Sequence, residues 1–395
     1  MSWPRPLHDT SIIFSLFLVF SGAAVVATIA LYAKQALLIA YILLGALLGP
    51  WALDLVSNPD LIAEISNVGI LFLLFLLGLN LEPNDLKKLF REAIVVTLAS
   101  SMAFAILGLA VAQVFGFNLS DSLLIAAGMM FSSTIIALKL LPTSALHHQR
   151  MGELIVSILL LQDIMAIAVL LALEGLGNQD KHLWESLMAI VGLPALVLAA
   201  WWFATRVLTA LFKRFDQIPE YLFLWAIGWC LGVAQLATVL GLSHEIGAFI
   251  AGVTLATSPI ARFIAESLKP LRDFFLILFF FALGAGFHIG ALPDVLLPAL
   301  ILAALAIAIK PIIFRFLLQR EQEKTKMASE TGARLGQISE FSLLIVVMAT
   351  DLNLMSEKAS LLMQSATILS FIASSFWIVR RYPTPISTDR ALHRD

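Results

Sequence analysis

Residues 154–173 read LIVSILLLQDIMAIAVLLAL. Twenty residues of α-helix rise about 30 Å, the thickness of a bilayer's hydrocarbon core. Three side chains in the run are polar: Ser157, Gln162 and Asp163. Asp163 is tenth of the twenty and so falls close to the midplane. A carboxylate there costs about 2.5–3.5 kcal/mol on insertion scales, and intramembrane acids mark ion or proton pathways. The plainer alternative is a protonated or fully paired Asp that only locks helix packing.

The chain around this run has the same character. Of 395 residues, 60% are hydrophobic and 13% charged, where a soluble domain carries about 25% charged residues. The periodicity predicts thirteen spans, near 11–33, 35–51, 61–80, 91–115, 120–141, 150–174, 187–211, 219–240, 242–257, 271–288, 292–318, 334–351 and 356–379. The chain is therefore an all-α polytopic membrane protein. The net charge of −2 says little, because the charges lie in loops, and the single cysteine, Cys230, excludes an internal disulfide. Ser11–Ala33 is too long for a cleaved leader and reads as a spanning helix. No HExxH pair, phosphate loop or Ser-His-Asp arrangement in plausible register appears, so an enzyme is not expected. His147, His148 and His288 read as loop or interface residues, and no cofactor or nucleic-acid partner is expected.

Basic residues follow the odd spans: Lys34; Lys87, Lys88 and Arg91; Arg150; Lys213 and Arg214; Arg262, Lys269 and Arg272; Arg315, Arg320, Lys324 and Lys326; Arg380 and Arg381. Connections after even spans carry mostly acids, with Lys181 and Lys358 as exceptions. The positive-inside rule then places the N-terminus outside and the C-terminus, with its short tail 380–395, in the cytoplasm.

The second half echoes the first. LFLLFLLGLNLEP (71–83) is similar to LFFFALGAGFHIGALP (278–293), and AYILLGALLGP (40–50) to GAFIAGVTLATSP (247–259). Each offset is seven spans, and an odd offset reverses direction in the membrane. The expected architecture is a single transporter domain, 1–395, built from inverted repeats near 11–174 and 219–379 with span 187–211 as connector. Span five then pairs with span twelve. The first carries Ser132, Ser133 and Thr134 together, and the second carries Gly336, Gln337, Ser339, Glu340 and Ser342. Segments of this kind, interrupted at membrane depth at matching places in two halves, point to a transporter's binding site. Ser/Thr packing at close helix contacts is the alternative. Lys310, in LAALAIAIKPIIFRF, either snorkels to the interface or faces the core and neutralises Asp163, Glu340 or a half-helix end.

Taken together, LLGALLGPWAL (43–53), GILFLLFLLGLNL (69–81), SSTIIA (132–137), LLLQDIMAI (159–167), GLSHEIGAFIAGVTLA (241–256), LFFFALGAGFHI (278–289) and GQISEFSLLI (336–345) resemble the cation:proton antiporter superfamily. Within it they resemble the membrane domain of Kef-type potassium/proton antiporters. The resemblance implies a panel or dimerisation domain, a six-helix core whose two broken helices cross beside the ion site, elevator-like alternating access and a homodimer. It assigns ion binding to Asp163, Gln162, Ser132, Ser133 and Thr134, and a supporting or charge-compensating role to Lys310, Glu340 and Gln337. Asn80 and Asn67 depart from positions that are often acidic, and GQISEF replaces the usual GQGGEF. No nucleotide-binding domain follows span thirteen, so regulation would fall to a separate cytoplasmic subunit.

The expected function is exchange of one monovalent cation, K⁺ before Na⁺, for protons, with cation and proton competing for Asp163 in a bacterial inner membrane. A K⁺ channel-like protein, or an ion-sensing subunit without proton coupling, is the alternative.

Overall fold

The computed structural model describes residues 12–384 apart from 34, 36, 57–58, 80–82, 142–149, 178–182, 216, 241, 243 and 259. Asn80, Lys34, Lys181, His147 and His148 lie outside the described residues. The described residues run α1 (Ile12–Tyr32), α2 (Leu37–Leu48), α3 (Pro59–Leu79), α4 (Pro83–Val114), α5 (Leu119–Met129), α6 (Thr134–Lys139), α7 (Arg150–Gly177) and α8 (Leu183–Phe203). After a π turn at Ala204–Leu208 come α9 (Thr209–Arg214), α10 (Pro219–Val239), α11 (His244–Leu255), α12 (Ala261–Ala285), α13 (Pro293–Arg320), α14 (Thr325–Arg334), α15 (Glu340–Asp351) and α16 (Glu357–Arg381). Each predicted span falls on a helix or on helical pieces in series. Among the described residues, eight helical stretches are long and apolar enough to cross a membrane, and three apolar helices are shorter.

Local chemistry sets the breaks. Asn118 caps α5 by accepting from Asp121 N at 2.8 Å, and Ser133, Ser339 and Ser356 cap α6, α15 and α16. Each such cap satisfies an otherwise orphaned first-turn N–H. Gly116, at φ +76°, takes the left-handed turn after α4. On α4 the exposed side chains include Ile94, Val95, Leu98, Met102 and Ile106, while Val96 and Phe104 are buried. A large apolar outer face is what lipid, rather than water, solvates.

The chain divides into two compact units. The first comprises Met1–Ser21, Leu44–Leu86 and Asn178–Gly286. In it α3 packs against α11 and α12, backbone to backbone. A Cβ on Gly252 of α11 would meet the Phe75 carbonyl oxygen of α3 and, at 2.8 Å, Leu79 N. A Cβ on Gly45 of α2 would meet the Phe281 carbonyl oxygen of α12 and, at 2.9 Å, Ala285 N. The two contacts correspond residue by residue. Gly45 and Gly252 hold the same place in the paired stretches, and counting back from Gly78 and Gly284 gives Phe75 and Phe281.

The second unit comprises Gly22–Leu43, Lys87–Gly177 and Phe287–Asp395. It holds α4, α7, α13 and α16 as continuous helices, and the two interrupted ones, α5–α6 and α14–α15. An apolar cluster including Phe104, Ala137, Ile155, Ile158, Phe314 and Leu335 gathers residues from most of them. Every candidate site residue lies in this unit.

Candidate ion-binding site

Both predicted interruptions are present. The first helix stops at Met129 and resumes at Thr134, leaving Phe131–Ser133 without regular structure. The second stops at Arg334 and resumes at Glu340. Loss of two glycines in GQISEF has not closed this gap. Ser339 takes extended backbone (φ −91°, ψ 154°), which any residue adopts, and its Oγ accepts from Phe341 N at 3.1 Å.

Breaking a helix in an apolar interior orphans backbone groups, each costing about 1–3 kcal/mol if left unpaired. The named polar residues take them up. Gln162 bridges the first break: its Oε1 accepts from Ser132 N at 2.9 Å, and its Nε2 donates to Met130 O at 3.4 Å. Ser132 Oγ donates to Leu335 O at 2.8 Å, joining one break to the other. Gln337 Nε2 donates to Arg334 O at 2.9 Å and to Ser133 O at 3.2 Å, while its Oε1 accepts from Ser374 Oγ at 3.0 Å.

Lys310 is wholly buried and does not reach the interface. Its Nζ donates to Phe131 O at 2.7 Å and Gln337 O at 3.2 Å, one carbonyl from each break, and stands 4.7 Å from the centroid of the Phe104 ring. Carbonyls released at the C-terminal ends of half-helices carry partial negative charge and suit an ammonium.

The acids face the other side of the first break. Asp163, 2% exposed, accepts from Thr134 Oγ1 through Oδ1 at 3.3 Å. Glu340, 3% exposed, accepts from Ile135 N through Oε1 at 3.1 Å. Two carboxyl groups from α7 and α15 thus meet adjacent residues of α6. The oxygens gathered here are carboxylate and hydroxyl, a hard set suited to alkali cations.

Sequence reasoning did not single out three supporting groups. Phe104 lies under Lys310. Ser370 Oγ accepts from Ile338 N at 3.1 Å and, with Ser374, fastens the second break to α16. The serine spacing in SATILSFIASS was the available signal. Arg334, wholly buried, donates to Leu140 O at 2.7 Å, to Pro383 O at 2.8 Å and to Glu330 at 2.7 Å. Beside it the Tyr382 phenol is pushed up chiefly by burial and by Glu330, against Arg381 and Arg334.

The sodium/hydrogen exchanger transmembrane family matches residues 16–381. The iron transporter MagA of Paramagnetospirillum magneticum is 29% identical over 91% of this chain and 82% of its own. K(+) efflux antiporter 4 of Arabidopsis thaliana is 31% identical over 87% of this chain, which spans only 59% of that relative's length. The sodium proton antiporter MjNhaP1 from Methanocaldococcus jannaschii shares the fold, with a TM-score of 0.69 at 15% identity over 93% of this chain and 96% of that one. The quoted motifs and the broken pair α5–α6 and α14–α15 agree with a match that runs nearly end to end, and the chain belongs to the sodium/hydrogen exchanger family of the cation:proton antiporter superfamily, on its Kef-type side.

Proposed function

We propose that this protein exchanges a monovalent cation, K⁺ in preference to Na⁺, for protons by alternating access, with Asp163 as the group for which the two compete. The observation that carries the reading is the buried Asp163 carboxyl beside a helix break, with one oxygen on the Thr134 hydroxyl. A group that holds either a proton or a cation, but not both, couples opposite fluxes by itself. K⁺ is favoured because relatives over most of the chain are K⁺ efflux antiporters and because a weakly hydrated ion is readily stripped by hydroxyl and carbonyl oxygens. Ser132 and Ser133 shape the break, and Gln162 sets its geometry without adding charge.

The protein then works as an integral protein of a bacterial inner membrane, N-terminus outside, as a homodimer. Positive-inside asymmetry supports the orientation, and the family resemblance supports the dimer and the membrane.

The test is exchange in sealed proteoliposomes across K⁺, Na⁺, Li⁺ and Rb⁺, with Fe²⁺ added because one relative is an iron transporter. Wild-type protein should give cation-driven pH changes, and Asp163→Asn, which keeps the shape but loses the titratable oxygen, should give none. Near-wild-type exchange in Asp163→Asn overturns the reading. Conductive K⁺ flux indifferent to the proton gradient would instead mark a channel.

A further inference from the structure

The second acid has a role that charge compensation does not describe. Glu340 spends one carboxyl oxygen on Ile135 N. The other, Oε2, is buried and makes no hydrogen bond within 3.5 Å among the described residues, with the Ser133 hydroxyl and the Thr134 backbone as the nearest polar groups around the carboxyl. Buried carboxylate oxygens are nearly always paired, because an unpaired one forfeits its hydration with nothing in return. Among the described residues, the two wholly buried cations of the same unit are engaged elsewhere. Lys310 donates to the carbonyls of Phe131 and Gln337, and Arg334 to Glu330, Leu140 O and Pro383 O. Thr134 and Ile135, neighbours in sequence, hold Asp163 and Glu340 respectively. The two carboxyl groups therefore flank one half-turn of backbone at the start of α6.

We propose that Glu340 is a second carboxylate ligand of the transported cation, binding it through Oε2 alongside Asp163 and the Thr134 hydroxyl. This deepens the antiport reading of the same site and rests on it. The span between the two carboxyl groups is set by the fixed Thr134–Ile135 segment. Reach of the Glu340 side chain thereby becomes a determinant of which alkali ion fits.

Two readouts test this on full-length protein: exchange in proteoliposomes, and the rise in melting temperature that K⁺, Na⁺, Li⁺ or Rb⁺ produces in detergent. Glu340→Gln keeps an acceptor for Ile135 N and should fold. It should raise the half-saturating cation concentration about tenfold or more, the worth of one charged ligand, and abolish the cation-induced melting shift. Glu340→Asp keeps the charge and shortens the reach by one methylene, and should change the order of preference among the four ions. An unchanged half-saturating concentration and melting shift in Glu340→Gln overturn the proposal and leave Glu340 as a cap on α6. If wild-type protein binds cations but does not exchange them for protons, the antiport reading fails alone, and the melting shift in Glu340→Gln still decides this one. If no ion shifts the wild-type melt and none is exchanged for protons, both readings fall.

Discussion

Replacing Lys310 with Met separates a structural lysine from one that takes part in ion exchange. Met fills the space of the aliphatic stem over Phe104 and cannot donate. The Phe131 and Gln337 carbonyls, at 2.7 and 3.2 Å from Nζ, then lose this donor while buried. Each orphaned carbonyl costs about 1–3 kcal/mol, the longer bond lying at the lower end. Against this, the mutant no longer buries an ammonium, whose desolvation costs several kcal/mol. The two carbonyls, about 2–6 kcal/mol together, outweigh that relief at the upper end of their range, where a net loss of about 2 kcal/mol lowers the melting temperature by about 4 °C by the scaling of mid-sized domains. Fluorescence-detected melts of the purified protein give this number. Exchange measured across pH in vesicles gives the second. With Lys310 bound to backbone rather than to an acid, the pH profile should stay in place. A Lys310→Met protein that melts like wild type but whose optimum moves by about a unit or more refutes this, and makes Lys310 a direct modulator of Asp163.

Other substitutions probe the supports. Gln162→Ala leaves Ser132 N and Met130 O without their side-chain partner and should destabilise by about 2 kcal/mol; a melt within error of wild type would show that the break does not depend on it. Gln162→Asp keeps an acceptor for Ser132 N and adds a charge, so preference should move toward Na⁺ or Li⁺ in flux assays; unchanged selectivity and voltage dependence would make the residue purely structural. Gly252→Ala forces α11 away from α3, because the new Cβ meets the Phe75 carbonyl, and should cost about 1–3 kcal/mol in the same melts. Arg334→Met strands Leu140 O and Pro383 O. It should free the chain after α16 to limited proteolysis near residue 383, and protection equal to wild type would count against the clamp.

Much of this was legible in the residues. A charged group inside twenty apolar residues has few explanations, so Asp163 announced itself, and clustered Ser, Thr and Gln in otherwise apolar spans marked both breaks. The similarity of LLGALLG to AFIAGVTL was visible as texture. What it meant was not, because a glycine's value lies in the backbone it touches. Lys310 shows the limit most clearly. Its cost at depth was evident, but snorkelling and core-facing placements differ by a rotation of α13 that the local sequence does not encode. Arg334 was hidden for a related reason. It borders a break, next to loop residues, and only the partners Leu140 and Pro383, from distant parts of the chain, show that it is buried.

The same logic explains how a helix break survives with the sequence ISEF where glycines are usual. The irregular residues need no left-handed backbone: Ser133 and Ser339, at φ −69° and −91°, sit in extended conformations open to any side chain. What a break does require is a partner for each freed backbone group, and those come from the breaks themselves, through Ser132 and Gln337, and from neighbouring helices. Gln162 of α7 supplies an acceptor to Ser132 N and a donor to Met130 O, Lys310 of α13 supplies a donor, and Ser370 and Ser374 of α16 fasten Ile338 and Gln337. Gln162 also explains where Lys310 points. An amide at that position offers no charge to an ammonium, so the lysine turns to the break carbonyls instead. Among the described residues, Asp163 is thereby left without a cationic neighbour in hydrogen-bonding contact, and its partner is the Thr134 hydroxyl. A carboxylate that no fixed cation neutralises is one that an incoming cation or proton can neutralise, and this condition must hold before competition at Asp163 can drive exchange.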